Sequence, residues 1–207
     1  MTEPNPNSRP DTRDDAYAVR LAKLQLVRWK DFLGVQAPYR WNLRRLKPGF
    51  TLDIGCGLGR NLKHLDGNGI GVDHNPHMVQ VARSRGFQAF TPDEFRGTSY
   101  YKPNAFDCLL LSHVLEHMTE QEGVSLLLTY VPLLKAQGQV ILMTPQESGY
   151  RSDATHVQFI DFDTLRSIAQ SAGLTVVREF SFPLPRWFGT LFKYNEFVSV
   201  SGAGTPK

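Results

Sequence analysis

Three alternate glycines, Gly55, Gly57 and Gly59, stand just after an acid, Asp53. A second acid, Asp73, closes the next apolar run, Gly69-Ile70-Gly71-Val72. Without Cβ atoms such a turn takes positive φ and brings backbone N–H groups close to a ligand. A carboxylate 20 positions after Asp53 can grip two vicinal ribose hydroxyls. Glycines alone describe a tight strand-to-helix turn with an unrelated acid nearby. Strand, turn, helix, strand and acid in register describe a nucleotide-type pocket. A second set of reactive side chains lies downstream. His113 and His117 fall in His113-Val114-Leu115-Glu116-His117, and His156 falls in Asp153-Ala154-Thr155-His156. Histidine is the side chain most often tuned to take a proton near neutral pH, and it also ligates metals.

These residues need elements to hold them. Ala16 to Leu33 has an apolar stripe of Ala22, Leu26, Trp29 and Leu33 and predicts a helix. A turn over 34–38 leads to a short helix, Tyr39 to Leu46, ended by Pro48-Gly49. Strand one is expected over 50–54, a short helix over 60–65, strand two over 69–72, a helix over 77–85 started by Asn75-Pro76, and strand three over 87–90. Phe106 to Leu111 is a continuous apolar run, as a parallel strand buried on both faces requires. Thr119-Glu120-Gln121-Glu122 is a capping box, predicting a helix from Glu120 toward Leu134, before Gly138. Strand five is expected over 139–143. Asp163 is expected to cap a helix ended by Gly173, with strand six over 174–182 and strand seven over 197–200. Alternating strands and helices with a closing hairpin give an α/β, doubly wound, Rossmann-like seven-stranded sheet, mostly parallel, with an antiparallel last strand.

The dinucleotide fingerprint asks for Gly or Ala at its sixth position, which here is Arg60, so a dinucleotide is the weaker reading. Gly-x-Gly-x-Gly preceded by Asp53 resembles the first motif of the class I S-adenosylmethionine-dependent methyltransferases, of the small-molecule, type 11-like kind. Asp73 matches that family's ribose-binding acid. The resemblance covers roughly residues 37–201 and implies S-adenosylmethionine as cofactor, with the glycine loop holding its methionine half. Ligands in such a sheet bind beyond the carboxyl ends of the strands, which puts His74 and Ser112 beside Asp73 and the loop. The family places a polar residue against the adenine after strand three. Asp93 is the choice and Glu94 the alternative, and either could instead be a helix-capping acid. Ser112 and His113 should border the transferable methyl. A hydroxyl acceptor needs a base, and His113 and His156 are the candidates, each of which could equally be a hydrogen-bonded structural residue. The segment 153–156 resembles the Asp-x-Thr-His stretch of many small-molecule members.

Rival readings narrow rather than vanish. His-x-x-Glu-His is also the inverted zinc-peptidase signature, which would make the chain a zinc-dependent hydrolase. It requires His113 and His117 on one helix, whereas the capping box starts the helix only at Thr119. No metal ligand set is therefore assigned. The Asp/Asn-Pro-Pro-aromatic motif of exocyclic-amino nucleic-acid enzymes, the carboxylate cluster of catechol-type enzymes and the cysteines of arsenite enzymes do not occur here. A small molecule, lipid or sugar, methylated at oxygen, is the acceptor expected, with no nucleic acid. A cofactor-binding regulatory protein that has lost catalysis is the alternative.

The 207 residues, 41% hydrophobic and 21% charged, suit one domain with a proper core. Residues 1–15 are expected to be a disordered tail, 16–48 a helical cap, 49–201 the main domain and 202–207 a tail. No apolar run reaches the length of a membrane span. With two cysteines in no metal-type spacing, a cytoplasmic monomer or homodimer is expected. The net charge of +3 conceals a basic stretch over 20–47, with eight basic residues against one acid. Arg20, Lys23 and Lys30 suit a solvated helix face, while Arg40, Arg44 and Arg45 leave open an anionic substrate or membrane surface. Pro183 to Gly189, with Trp29, Tyr39 and Trp41, could face an apolar acceptor. Trp187, Phe188 and Phe192 are instead expected to pack the last crossover against the sheet.

Overall fold

The computed structural model describes residues 36–203. The expected tail over 1–15, the helix over 16–33 and residues 204–207 lie outside the described residues. Helix α1 (Ala37–Arg45) has Pro38 in its first turn and Arg44 and Arg45 in its last. That order suits both the fixed φ of proline and the helix dipole. Strand β1 (Thr51–Ile54) follows, then α2 (Arg60–His64) and β2 (Gly69–Val72). Helix α3 (Pro76–Ser84) starts where Asn75 accepts the N–H groups of His77 and Met78. Strand β3 (Ala89–Phe90) leads into α4 (Pro92–Arg96), opened by a capping box between Thr91 and Glu94. Strand β4 (Phe106–Ser112) runs into a 3₁₀ turn, Leu115–His117, and then α5 (Glu120–Tyr130), whose capping box joins Thr119 and Glu122. The remaining elements are β5 (Leu134–Pro145), α6 (Glu147–Tyr150), α7 (Phe162–Ser171), β6 (Leu174–Phe182) and β7 (Glu196–Ala203).

The seven strands lie in the order β3-β2-β1-β4-β5-β7-β6. Only β7 runs against the others, pairing antiparallel with both β5 and β6. Chain order reverses between β1 and β4, so their carboxyl ends frame the crevice where such sheets take ligands. Ile54 lies beside Leu111, and the glycine loop and the segment after Ser112 leave the sheet side by side. Strand β4 buries both faces: Leu109 and Leu111 pack with Leu127, Leu165 and Ile168 of α5 and α7, while Cys108 and Leu110 pack with Leu43 of α1. That two-sided burial is why its sequence reads as an unbroken apolar run.

Three expectations change. The cap of α7 is Asp161, whose Oδ1 accepts the Thr164 N–H at 3.0 Å, while Asp163 sits in the first turn and pairs with Arg166. Asp161 has the extended backbone a cap needs. Helix α5 ends at Tyr130 because Pro132, in the following 3₁₀ turn, has no N–H to continue it. Gly138 is not its stop but part of β5, where a Cβ would meet Leu134 Cδ1 at 2.6 Å. Trp187 does not pack on the sheet: it is 65% exposed and stacks on Phe188.

Candidate functional site

The loop after β1 is built from backbone. Gly55, Gly57 and Gly59 have φ of +75°, +52° and +80°. A Cβ on Gly55 would lie 2.4 Å from Val114 Cγ2, and one on Gly59 would lie 2.7 Å from Phe87 Cδ2. Those two positions are closed by packing. Gly57 differs, because a Cβ there would meet nothing within 4 Å. It lies between its packed neighbours and leaves the turn open where a ligand could approach the backbone. Cys56 faces the other way, its Sγ 2.6 Å from where a Gly71 Cβ would stand, and burial holds its thiol well above the usual range.

Two acids flank the opening. Asp53 is 1% exposed, and its Oδ1 accepts a hydrogen bond from Asn61 Nδ2 at 3.3 Å. Its Oδ2 has no hydrogen-bond partner among the described residues. Burial pushes the carboxyl up to about 7, against the smaller opposing effects of Asn61 and Arg60. A buried carboxylate with one unanswered oxygen is a socket for a cationic group. Asp73 is also buried, its Oδ2 accepting the Gly57 N–H at 2.8 Å and its Oδ1 the Asn75 N–H at 2.9 Å. Each oxygen keeps a lone pair for a hydroxyl donor. The second acid therefore fixes the loop. Asn61 and Asn75 carried no signal of this role beyond their neighbourhood to the motif.

The other expected contacts are distributed unevenly. Ser112 is buried at the end of β4, and His74 Nδ1 lies 3.9 Å from Asp73 Oδ1. Asp93 stands on the surface in the first turn of α4, paired with Arg96. Glu94 is tied into its capping box and to Arg83 at 2.8 Å. The structure thus brings together Asp53, the three glycines, Asp73 and His74, with Ser112 at the end of the neighbouring strand β4 and Asp93 turned to Arg96 on the surface.

A second assembly lies against the loop, through Val114. His113 adopts φ +60°, uncommon away from glycine and costing about 1–3 kcal/mol. Its N–H donates to the Met143 carbonyl at 2.9 Å, its Nδ1 meets Glu116 Oε1 at 3.2 Å, and its Nε2 meets Glu196 Oε1 at 2.8 Å. Burial opposes charge on the ring, but the two carboxylates outweigh it and push His113 up to about 9. Glu116 is fully buried, and its backbone carbonyl accepts the Val157 N–H at 2.7 Å. That bond brings the segment carrying Thr155 and His156 alongside. His117 Nδ1 lies 3.3 Å from the Thr155 carbonyl, His156 Nδ1 lies 2.6 Å from the Tyr150 carbonyl, and the two rings are 4.9 Å apart. So His113 and His117 share no helix and face different partners, which removes the geometry a zinc-peptidase signature needs. Glu196 is a participant that no motif announced, 83 positions from His113.

Two cations of the described basic stretch, Arg44 and Arg45, are engaged within the fold. Arg44 pairs with Asp66 at 2.5 Å and donates to the His64 carbonyl at 2.7 Å, and Arg45 lies over the Trp41 ring at 4.6 Å.

Comparison with known proteins identifies the family and the fold. The family described as "Methyltransferase domain" matches residues 28–179. A putative methyltransferase of Haloferax volcanii, solved with the Trm112 methyltransferase activator, superposes with a TM-score of 0.69 at 19% identity, over 95% of this chain and 99% of that one. A SAM-dependent methyltransferase from Archaeoglobus fulgidus gives 0.64 at 20% identity, over 83% and 96%. Among curated proteins, the tRNA (carboxymethyluridine(34)-5-O)-methyltransferase alkbh8 of Xenopus tropicalis is 30% identical over 98 residues. That stretch is 46% of this chain and 15% of that protein.

Proposed function

We propose, for a chain that belongs to the methyltransferase-domain family and uses S-adenosylmethionine, that the acceptor is a hydroxyl of a small molecule, lipid or sugar. The observation that carries the placement of the cofactor is the loop that opens only at Gly57, between the unanswered Oδ2 of Asp53 and the carboxylate of Asp73. S-adenosylmethionine, when bound, supplies an electrophilic methyl group that already carries its leaving group. Asp53 suits its ammonium, the backbone around Gly55, Gly57 and Gly59 its methionine half, and Asp73 the ribose hydroxyls, with His74, Ser112 and Asp93 as further contacts. The chain's own task is alignment and exclusion of water, and positioning alone contributes up to roughly 7–11 kcal/mol.

The acceptor's proton leaves on the histidine side. Of the two candidates, His113 has both ring nitrogens bound to carboxylates. His156 turns Nδ1 to the Tyr150 carbonyl, so its neutral ring carries the lone pair on Nε2. His156 is therefore the base, with His113 the residue that holds the turn. The buried, unpaired Cys56 and Cys108 support a reducing, cytoplasmic setting. Among the described residues no helix is long and apolar enough to cross a membrane.

Calorimetry with S-adenosylmethionine tests the cofactor site: Asp73→Ala should weaken binding at least about tenfold, or 1.4 kcal/mol. His156→Ala should cut turnover by about a hundredfold with cofactor affinity held. Silent His156→Ala and His113→Ala variants would refute base catalysis at both positions, and cofactor binding without turnover on any acceptor would favour a regulatory protein. A tRNA acceptor is the second reading, favoured by the tRNA-methyltransferase relative. Methyl label appearing in total tRNA rather than in a small-molecule extract would decide for it.

A further inference from the structure

The histidine side holds more than a base. One ligating atom each from Glu116, His117 and His156 lie within 4.8 Å of one another. We propose that these three side chains form a binding site for a first-row divalent transition-metal ion. Three independent features of the cluster support this.

The first is the donor set. Two imidazoles with one carboxylate suit zinc, manganese or ferrous iron, whereas all-oxygen sets suit magnesium and calcium. The second is orientation. Both rings turn Nδ1 toward a main-chain carbonyl, that of Thr155 for His117 and that of Tyr150 for His156. A carbonyl only accepts, and the Thr155 hydroxyl, also 3.2 Å from His117 Nδ1, gives its own proton to Asp153 Oδ1 at 2.9 Å, so each neutral ring holds Nδ1–H with its lone pair on Nε2. Histidines that bind metals are held this way by their outer partners. The third is the carboxylate. Glu116 spends Oε1 on His113, while its Oε2 is fully buried without a hydrogen bond among the described residues. A buried carboxylate oxygen left unanswered is costly, and a cation answers it. His113, itself clamped by Glu196, then serves as the outer partner that orients the carboxylate.

Ligands about 2.0–2.2 Å from a metal stand roughly 3–4 Å from one another. The observed separation therefore closes with small side-chain rotations. Three protein ligands leave coordination positions for water or substrate. Val114, two residues before Glu116, packs against Gly55, so the cluster stands near the loop that the proposed function gives to the cofactor. An acceptor hydroxyl bound to the metal is acidified: its O–H bond breaks, the proton passes to bulk water and the electron pair stays on oxygen. With a metal bound His156 is a ligand, and the proton that the metal-free chain hands to its Nε2 goes to water instead. This role rests on the methyl-transfer reading, but the cation site does not.

The test uses the full chain, stripped with chelator and titrated with Mn²⁺ and Zn²⁺ by calorimetry, with Mn²⁺ also followed by electron paramagnetic resonance. One equivalent should bind at about 10 µM or tighter. His117→Ala and His156→Ala should each weaken binding about 10–100-fold while S-adenosylmethionine affinity stays within about twofold. Thermal melts check that both variants fold, and Glu116→Gln is left out because its side chain is wholly buried. His117→Ala separates the two roles, since losing a ligand abolishes metal-stimulated turnover whereas losing a neighbour of a simple base does not. Absence of 1:1 binding, or binding indifferent to both substitutions, would overturn the proposal. Metal binding by a protein that ignores S-adenosylmethionine would refute the methyl-transfer reading and leave the cation site standing.

Discussion

The two halves of the proposed site are made in opposite ways. The centre of the half proposed for the cofactor is contiguous in sequence, from Asp53 to Asp73, and its shape comes from main chain: positive φ, N–H groups and missing Cβ atoms. The half proposed for the acceptor draws on three segments, 113–117, 153–156 and Glu196, and its shape comes from side chains that hold one another. A backbone-built pocket leaves its mark in residue type at fixed spacing, since only glycine satisfies the geometry. A side-chain-built pocket leaves no such mark, because many residue types could have supplied each contact. The two halves meet where Val114 packs against Gly55.

That meeting point gives the largest expected effect. Gly55→Val adds overpacking against Val114 to a left-handed backbone, each costing about 1–3 kcal/mol, so unfolding should become easier by about 4 kcal/mol. Adding Val114→Ala should recover the packing part and not the backbone part. Denaturant melts of both variants would measure the split, and complete recovery would mean that the halves touch without a backbone constraint.

Asp53 is the titrating member of the backbone-built half. Its folded value near 7 lies above the ordinary 3.8, so the unfolded chain releases the proton first as pH rises. Stability contributed by this group therefore falls from about pH 4 to pH 7 and stays low above. Asp53→Asn removes the penalty, and its stability relative to the parent should improve by on the order of 2 kcal/mol between pH 4 and pH 8. The parent should also bind S-adenosylmethionine more tightly as Asp53 ionises through pH 7, a slope the variant lacks. Flat parent curves in both measurements would show the carboxyl already ionised at pH 5.

The smallest change in stability pairs with a large change in function. Gly57→Ala meets no atom within 4 Å and should cost only about 1 kcal/mol, for its left-handed backbone. Because the methyl group enters the opening, cofactor affinity should drop at least about tenfold. Equal stability losses at Gly55 and Gly57 would erase the distinction between a packed and an open glycine.

What could be read from the chain follows the same division. The glycine loop, the β4 run and the capping box at Thr119 all depend on neighbours within a few residues. The α7 cap was misplaced because Asp161 and Asp163 are alike as residue types, and only the extended backbone at Asp161 separates them. The partnership of His113 with Glu196 depends on β7 pairing beside β5, a contact that no local pattern encodes. For Arg44 and Arg45 the sequence leaves the partner open, and the fold gives one an acid and the other an aromatic face. Trp187 read as core and stands in solvent.

Cys56 carries a practical consequence. Its thiol is inside the cofactor loop yet turned inward against Gly71, buried and held in its protonated form. Only the thiolate is readily oxidised or alkylated, so the loop is shielded from electrophiles despite containing a cysteine. Iodoacetamide can reach that sulfur only while the loop is lifted away from β2, and the labelling rate therefore clocks the opening. A ligand that presses the loop down should slow that clock, which lets the chain report occupancy of its own site without any added dye.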